Sequence, residues 1–437
     1  MIMSRFETQE LGPVARRPIR QRPLPAEFPG AHAFGREEEE ALLRVCRSKS
    51  LYRYHGIKMQ HEALNFEREF ATFTGVRHAV AVTSGTAALH TALGALGVGP
   101  GQEVIIPAYL WVSIAAAVVN LGAIPVLADI DDTFCIDPQD VERKITSRTS
   151  AIVIVHMNGA PGNVVDLVGI ARDRGISLVE DCAQCAGGTI QGRRVGTFGD
   201  IAIFSFQLNK NMTAGEGGAV ITNNEALWRR AVAIQDVGYA RDEEDRIQLD
   251  DVASYAWGRG YRMDELRAAL VRVQLRKLPS TLARMRKSKL RIREALESMR
   301  GVKLRRLVDP AGDTGAFLLT IFASERIARA VNTRMRWHGI SCSADAVSNV
   351  ILADYGLHIY SNIPALVRKT ATDVSGAPWN LESNRQSVYD YGHGCCPVAD
   401  DLFRRTQLLT IPSCLSERDE QDIIDAFSDA LRFAAQS

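Results

Sequence analysis

The chain has 437 residues, of which 46% are hydrophobic and 24% charged, and its 52 basic side chains nearly cancel its 51 acidic ones. A net charge of +1 excludes the strong positive field by which proteins usually attract nucleic acids or anionic membranes. The length exceeds what one hydrophobic core usually supports, so we expect two domains.

The first 30 residues contain five prolines and many arginines, with little apolar periodicity. They lack the apolar segment and cleavage site of a secretion signal. Elsewhere the longest apolar stretches, residues 105–117 and 201–206, are too short or too interrupted to span a bilayer, which takes roughly 20 apolar residues. We predict a cytoplasmic protein whose residues 1–30 form an extended or disordered N-terminal arm, which could also fold over a partner subunit.

Eight cysteines are spread along the chain, and without a secretion signal this favours reduced thiols over a disulfide framework. Cys182 and Cys185 have the spacing of a zinc or redox half-site. A second half is missing, because Cys395 and Cys396 are adjacent to each other. We therefore predict buried thiols and no metal.

A first helix is predicted over residues 37–48, where apolar residues recur at helical spacing after an acidic start. Beyond residue 62, short β-branched runs alternate with helical patterns such as 86–94 and 112–121. The predicted strands are 80–83, 104–106, 125–128, 151–156, 177–180 and 201–206. This alternation indicates an α/β fold with a mostly parallel sheet covered by helices, and ligands of such sheets bind beyond the carboxyl ends of the strands.

A long basic helix is predicted over residues 266–299, and we expect its charges to form a solvated face rather than a nucleic-acid patch. The chain that follows has a predicted strand near 316–322 and a closing helix at 417–433. These patterns indicate a large domain at residues 31–283 and a smaller C-terminal α+β domain at 284–437.

Small residues follow the predicted strand at 79–82, at the start of a helical pattern. The run Thr83-Ser84-Gly85-Thr86 would expose unpaired backbone N–H groups at a helix N-terminus, which suits a phosphate. Ser and Thr are also ordinary N-cap residues, so this run alone leaves both interpretations open.

Asp181 stands at the carboxyl end of an apolar strand. A carboxylate is costly to bury there unless it meets a cation or hydrogen-bond donors, and a protonated pyridine nitrogen would be such a partner. The alternative is an aspartate that caps the next helix.

Lys210 lies between an apolar strand ending at Ser205 and a glycine-rich turn that leads into another apolar strand. The glycines at 215, 217 and 218 allow tight turns and close backbone approach, so the lysine can be held at the floor of a cleft. A desolvated lysine loses affinity for its proton and becomes a nucleophile toward an aldehyde.

Six motifs in order resemble the DegT/DnrJ/StrS family of pyridoxal-phosphate sugar aminotransferases, which have the fold-type-I architecture of aspartate aminotransferase. They are SGTAAL at 84–89, GPGQEVIIP at 99–107, VEDCAQ at 179–184, GRRVGTFGD at 192–200, SFQLNKNMTAGEGGAV at 205–220 and YRMDELRAAL at 261–270. The resemblance is close from about residue 28 to residue 276 and loose in the last third.

The resemblance implies that Lys210 joins pyridoxal 5'-phosphate as a Schiff base and shuttles the substrate proton, and that Asp181 pairs with the pyridinium nitrogen. It also implies five further cofactor contacts. Gly85 and Thr86 amides with the Ser205 hydroxyl would hold the phosphate, Gln184 would lie by the ring oxygen or phosphate, and Trp111 would stack on the ring. Trp111 as an ordinary core tryptophan is the alternative.

Two positions depart from the family pattern. Gly260 replaces an asparagine that commonly reaches the cofactor phosphate of the neighbouring subunit, and Asn158 stands where a tyrosine is more usual. We expect Gly260 to alter the cofactor contact and Asn158 to alter the substrate side of the pocket. His358 and Tyr360, candidate substrate contacts in the last third, match no motif that would give them roles.

The function that the resemblance implies is amino transfer from glutamate or glutamine to a keto-sugar or keto-cyclitol, in amino-sugar, aminoglycoside or other secondary-metabolite biosynthesis. We expect a homodimer with active sites at the subunit interface. A lyase, dehydratase, decarboxylase or oxidase on the same scaffold is the alternative. A pyridoxal-binding regulator is disfavoured, because Lys210 is retained and no DNA-binding domain is evident.

Overall fold

A computed structural model describes residues 14–343 and 348–436, and its centre is a seven-stranded sheet. Along the sheet the strands follow the order His78–Val82, Gly218–Thr222, Ile201–Ser205, Ser177–Asp181, Thr149–Val155, Glu103–Pro107 and Ile124–Ala128. Only the strand Gly218–Thr222 runs against its neighbours in this sheet. The predicted α/β fold with a mostly parallel sheet is confirmed, and each predicted strand lies within two residues of an observed one.

Helices cover both faces of this sheet, which explains why its strands are apolar throughout rather than alternating. The helices up to residue 297 are Pro29–His32, Arg36–Ser48, Glu62–Thr74, Gly85–Ala95, Ser113–Asn120, Pro138–Lys144, Val164–Arg174, Glu225–Gln235 and Glu265–Glu297. Among the described residues, no helix is both long and apolar enough to cross a membrane.

A smaller antiparallel sheet follows the long helix. Its strands, in spatial order, are Lys303–Leu304, Phe317–Ile321, Thr406–Thr410 and Asn349–Ile351. The C-terminal helices are Glu325–Trp337, Pro364–Val367, Pro397–Arg405 and Glu417–Gln436. The domain boundary that we propose, at residues 283–284, falls inside the long helix Glu265–Glu297, so this helix would belong to both domains.

Several basic side chains of the long helix bond to the C-terminal part of the chain, and the expectation of a solvated face was wrong for the buried Lys289. Lys289 is only 6% exposed and forms an ion pair with Asp313. Arg291 donates to Glu420 at 2.8 Å, and Arg284 donates to the carbonyl oxygen of Ser413. These charges therefore fasten the two parts of the chain together.

The predicted N-terminal arm falls partly on residues 1–13, which lie outside the described residues. Its described part runs along the C-terminal part of the same chain. Arg20 donates to Asp419 and Asp422, at 2.7 Å each, and Leu24 is buried in the core beneath them. The arm then reaches the lysine loop, where the backbone N–H of Gly30 donates to the carbonyl oxygen of Lys210 at 3.1 Å.

Candidate active site

A cavity of about 390 Å³ opens at the carboxyl ends of the parallel strands. All seven residues named from the sequence line it: Gly85, Thr86, Trp111, Asp181, Gln184, Ser205 and Lys210. They come from the ends of four separate strands and the loops that follow them, so the fold, rather than local sequence, brings them together. This position is the one at which parallel sheets bind ligands.

One end of the cavity is the N-terminus of the helix Gly85–Ala95. Ser84 caps this helix, and its hydroxyl accepts from the backbone N–H of Ala87 at 3.1 Å. Gly85 lies against Ser205, because a Cβ added at Gly85 would come within 2.8 Å of the Ser205 Cβ. The Thr86 and Ser113 hydroxyls lie 2.8 Å apart. Free backbone N–H groups and hydroxyls therefore converge where a phosphate would fit.

Asp181 lies on the cavity floor and is only 4% exposed. Its Oδ1 accepts from the backbone N–H of Ala183 at 2.9 Å, and among the described residues it forms no ion pair. Burial raises the pKa of Asp181 to about 6, although the Ala183 hydrogen bond and the charge of Lys210 act against that rise. The carboxylate thus lacks a cationic partner in direct contact, and a protonated ring nitrogen would supply one.

A buried pair of side chains, His156 and Glu180, lies next to Asp181. His156 Nδ1 accepts from the backbone N–H of Gly162 at 3.1 Å, so the proton is on Nε2, which donates to Glu180 at 3.0 Å. Burial alone would raise the pKa of Glu180, but hydrogen bonds from His156 and from backbone amides hold that pKa below its usual value. The His156 backbone N–H donates to the Asp181 carbonyl oxygen. Sequence reasoning gave this pair no role, although Glu180 directly precedes Asp181.

Lys210 is carried by a loop between the strands that end at residue 205 and begin at residue 218. The loop is closed by backbone bonds, including Ala214 N–H to the Phe206 carbonyl oxygen at 3.0 Å and Lys210 N–H to the Gln207 carbonyl oxygen at 3.0 Å. Burial lowers the pKa of Lys210, and the nearby carboxylates of Asp181 and Glu216 act against that lowering. The amine therefore holds its proton less tightly than a surface lysine does and is a better nucleophile.

Trp111 forms one wall of the cavity and is 44% exposed, so the alternative of an ordinary core tryptophan is wrong. Its ring lies 4.8 Å from the ring of His358, measured between centroids. Gln184 lies beside this pair, and its amide nitrogen is 3.4 Å from His358 Nε2. An aromatic face is therefore available for a planar ring in the cavity.

His358 lines the cavity, although the sequence gave it no role. Burial and the charge of Lys210 lower the pKa of His358 to about 3, so its ring is neutral at ordinary pH. The ring stacks on Tyr355 at 4.1 Å. Tyr360, the other candidate from the last third, is buried away from the cavity and donates to Asp400.

Asn158 does not line the cavity, so the expectation that it alters the substrate side needs correction. It is fully buried in a left-handed conformation with φ 53°, which asparagine tolerates better than most residues. Its backbone N–H donates to Gln184 Oε1 at 2.9 Å, so it orients Gln184 from behind. Gly260 has φ 68° and lies on the surface, where an added Cβ would meet only the end of the Arg262 side chain.

Cys182 and Cys185 are fully buried, and burial raises the pKa of both thiols well above the usual value, which makes them poor nucleophiles. The Cys182 sulfur lies within 4.8 Å of the ligand atoms of His156 and Glu180. Those two side chains already bond to each other and to backbone amides. We therefore assign no metal to this cluster.

A model of the DegT/DnrJ/EryC1/StrS aminotransferase family matches residues 34–345. The chain belongs to this family. A family relative, the L-glutamine:2-deoxy-scyllo-inosose aminotransferase of Streptoalloteichus tenebrarius, is 38% identical over 276 residues, which are 62% of this chain and 64% of that protein. That match therefore spans less than two thirds of the relative's own length.

A second DegT/DnrJ/EryC1/StrS relative matches over nearly its whole length. The L-glutamine:2-deoxy-scyllo-inosose aminotransferase of Streptomyces kanamyceticus is 33% identical over 406 residues, which are 91% of this chain and 92% of that protein. Among solved structures, 3-amino-5-hydroxybenzoic acid synthase superimposes with a TM-score of 0.73 at 29% identity, over 92% of this chain and 97% of that one. The fold-type-I architecture expected from the sequence is thus confirmed.

Proposed function

We propose that the protein is a pyridoxal-phosphate-dependent aminotransferase that moves an amino group from glutamine to a keto-cyclitol. The observation that carries this proposal is one cavity that joins a desolvated lysine, a buried carboxylate and a helix N-terminus. Pyridoxal phosphate has an aldehyde, a ring nitrogen and a phosphate, and each has a chemically matching group at a different part of this cavity.

The residues present fit this cofactor. The amides at Gly85 and Thr86 and the Ser205 hydroxyl would hold its phosphate, and Asp181 would face its ring nitrogen. Trp111 would cover one face of the ring, and Gln184, oriented by Asn158 and adjacent to His358, would lie at its edge. When bound, pyridoxal phosphate supplies an electron sink that stabilises negative charge on the substrate carbon bearing nitrogen.

Lys210 carries the proton in this proposal. Its amine lines the cavity and has a lowered pKa, so it can take a proton from a substrate carbon and return it to another atom nearby. Asp181 stays ionised once a cation faces it, because a neighbouring positive charge favours the charged carboxylate. The His156–Glu180 pair keeps Asp181 in place, since it bonds the backbone on which that carboxylate is carried.

The choice of substrates is supported by the relatives. Two relatives that match this chain are named as aminotransferases that use L-glutamine and 2-deoxy-scyllo-inosose. We therefore propose glutamine as the donor, in preference to glutamate, and a keto-cyclitol as the acceptor, in preference to a keto-sugar. A biosynthetic role in secondary metabolism follows from that acceptor.

We also propose that two copies of the chain associate next to this cavity. The segment 237–257, which leads to the motif at 261–270, exposes seven large apolar side chains, and Trp257 is 94% exposed. Exposed apolar surface of this kind is typical of contacts between proteins. These seven side chains are Val237, Tyr239, Ile247, Leu249, Val252, Tyr255 and Trp257.

The test of the proposed function is the donor half of the reaction. Protein loaded with pyridoxal phosphate should lose its yellow absorbance when L-glutamine is added and should regain it with 2-deoxy-scyllo-inosose. Lys210→Ala should abolish both changes, because no other amine lines the described cavity. Lys287→Ala, at an exposed position on the long helix, is the matched control and should behave as the parent protein. Failure of every amine donor would reject amino transfer in favour of another reaction.

A further inference from the structure

A small chamber of about 50 Å³ continues from the cavity toward the N-terminal arm. The two spaces share the residues Gln184, Asn209, Lys210 and His358, so the chamber opens at the reactive lysine. Its far wall is formed by Glu27 of the arm, by Tyr355 and by Thr410 of the small sheet. A chamber of this size holds one or two groups as large as a hydroxyl.

Glu27 is brought to this wall by contacts on both sides of it in the chain. Before it, Leu24 is buried, and the Leu24 backbone N–H donates to the Ser341 carbonyl oxygen at 3.0 Å. After it, Pro29 is buried and Gly30 bonds to the backbone of Lys210. The arm therefore fixes the position of Glu27 relative to the lysine that the proposed reaction uses.

Among the described residues, the Glu27 carboxylate has a single hydrogen-bond partner. This partner is the Cys342 thiol, whose sulfur lies 2.7 Å from Oε2 and is a weak donor. No ion pair involves Glu27 among the residues that the structure describes. An ionised carboxylate accepts about four hydrogen bonds, so among the described residues Glu27, which lines the chamber, can accept further ones.

The charges around both spaces select the kind of acceptor that fits. Apart from Lys210, the charged side chains that line them in the described part of the chain are acidic: Glu27, Asp181 and Glu216. A phosphate or carboxylate on the acceptor would be repelled at Glu27, whereas neighbouring hydroxyls of an uncharged ring would donate to it. Hydrogen bonds to a charged acceptor are roughly twice as strong as neutral ones.

We propose that Glu27 determines acceptor specificity by accepting hydrogen bonds from ring hydroxyls of an uncharged cyclitol whose carbonyl faces Lys210. This inference rests on the proposed aminotransferase function and adds to it the residue that recognises the acceptor. It also explains why a segment far from the motifs of the sheet is anchored against the lysine loop.

The test separates the two half-reactions. With Glu27→Gln, kcat/KM for 2-deoxy-scyllo-inosose should fall roughly 10- to 100-fold, while kcat/KM for L-glutamine stays within about 2-fold of the parent value. Glu27→Asp should recover part of the loss. The control Glu40→Gln, at an exposed ion pair on the helix Arg36–Ser48, should change neither.

Two results with the cyclitol and the donor would overturn the inference. One is unchanged acceptor kinetics in both Glu27→Gln and Glu27→Ala, and the other is an equal loss in the donor half-reaction, which would make Glu27 a support for the lysine loop. A nucleoside-diphosphate keto-sugar, which is negatively charged, tests whether the charge of Glu27 excludes charged acceptors. Glu27→Gln should use this sugar better than the parent does. A parent that prefers the sugar to the cyclitol would also overturn the inference. A parent protein that fails with L-glutamine would instead reject the proposed function.

Discussion

Burial shifts the pKa values of Asp181 and Lys210 in opposite directions. Burial disfavours the charged form of each, so the pKa of the acid rises and that of the base falls. Their mutual attraction acts against both shifts and does not overcome either. The site therefore holds two groups that are costly without a ligand, which is typical of residues selected for chemistry rather than for stability.

The Asp181 shift predicts a pH effect on the cofactor-free protein. The folded pKa of about 6 exceeds the ordinary value of 3.8, so only well below pH 4 is the carboxyl protonated in both states and without cost. As pH rises to 6 the unfolded state ionises first, and stability falls by roughly 3 kcal/mol. Asp181→Asn should therefore raise the melting temperature at pH 7.5 and raise it much less at pH 4.

Thermal unfolding of the cofactor-free protein at the two pH values measures this effect. Asp173→Asn, at an exposed position, is the control and should show no such pH dependence. An Asp181→Asn protein that melts below the parent at pH 7.5 would contradict the prediction. With pyridoxal phosphate bound, the order should reverse, because the carboxylate then has a cationic partner.

At the scale of single elements, the helix Gly85–Ala95 shows which part of a binding site a local sequence can determine. Small residues after a strand predicted a helix N-terminus, and the structure places that N-terminus on the cavity. The close approach between Gly85 and Ser205 was not predictable, because the two come from different strand ends. This close approach explains why residue 85 is a glycine. The local sequence alone does not provide that explanation.

Gly85→Ala should weaken binding of pyridoxal phosphate. The added Cβ would lie 2.8 Å from the Ser205 Cβ, so the helix start or the serine must move away from the phosphate position. We expect the dissociation constant to rise at least 10-fold in a fluorescence titration. Gly169→Ala, in the helix Val164–Arg174 with open space around it, is the control and should bind as the parent does. Equal affinity of the two variants would contradict this reading.

The sequence predicted those features of the fold and the site that depend on residues close together in the chain. Apolar runs predicted the strands because both faces of the sheet are buried, and Lys210 was identified from its glycine-rich surroundings. The positions of His358 and Glu27 were not predictable, since each reaches the cavity through packing between distant segments. Lys289 was misjudged for the same reason, because its partner Asp313 belongs to another part of the fold.

On the scale of the whole molecule, the exposed apolar segment 237–257 predicts association of two copies. Trp257→Asp should shift the protein toward monomers in sedimentation velocity, because a charge at the centre of an apolar contact is costly to bury. Val374→Asp, at a fully exposed position elsewhere, should leave the distribution unchanged. A parent protein that is monomeric at micromolar concentration would contradict the prediction.

The arm is held by partners that are far apart in the order of synthesis. Arg20 meets Asp419, which follows it by 399 positions, and Gly30 meets the loop of Lys210. During synthesis the arm therefore leaves the ribosome long before Asp419 and Asp422 of the helix Glu417–Gln436 have been made. All of these arm contacts can form only after translation has passed that helix, so the chamber beside the lysine is completed late in synthesis.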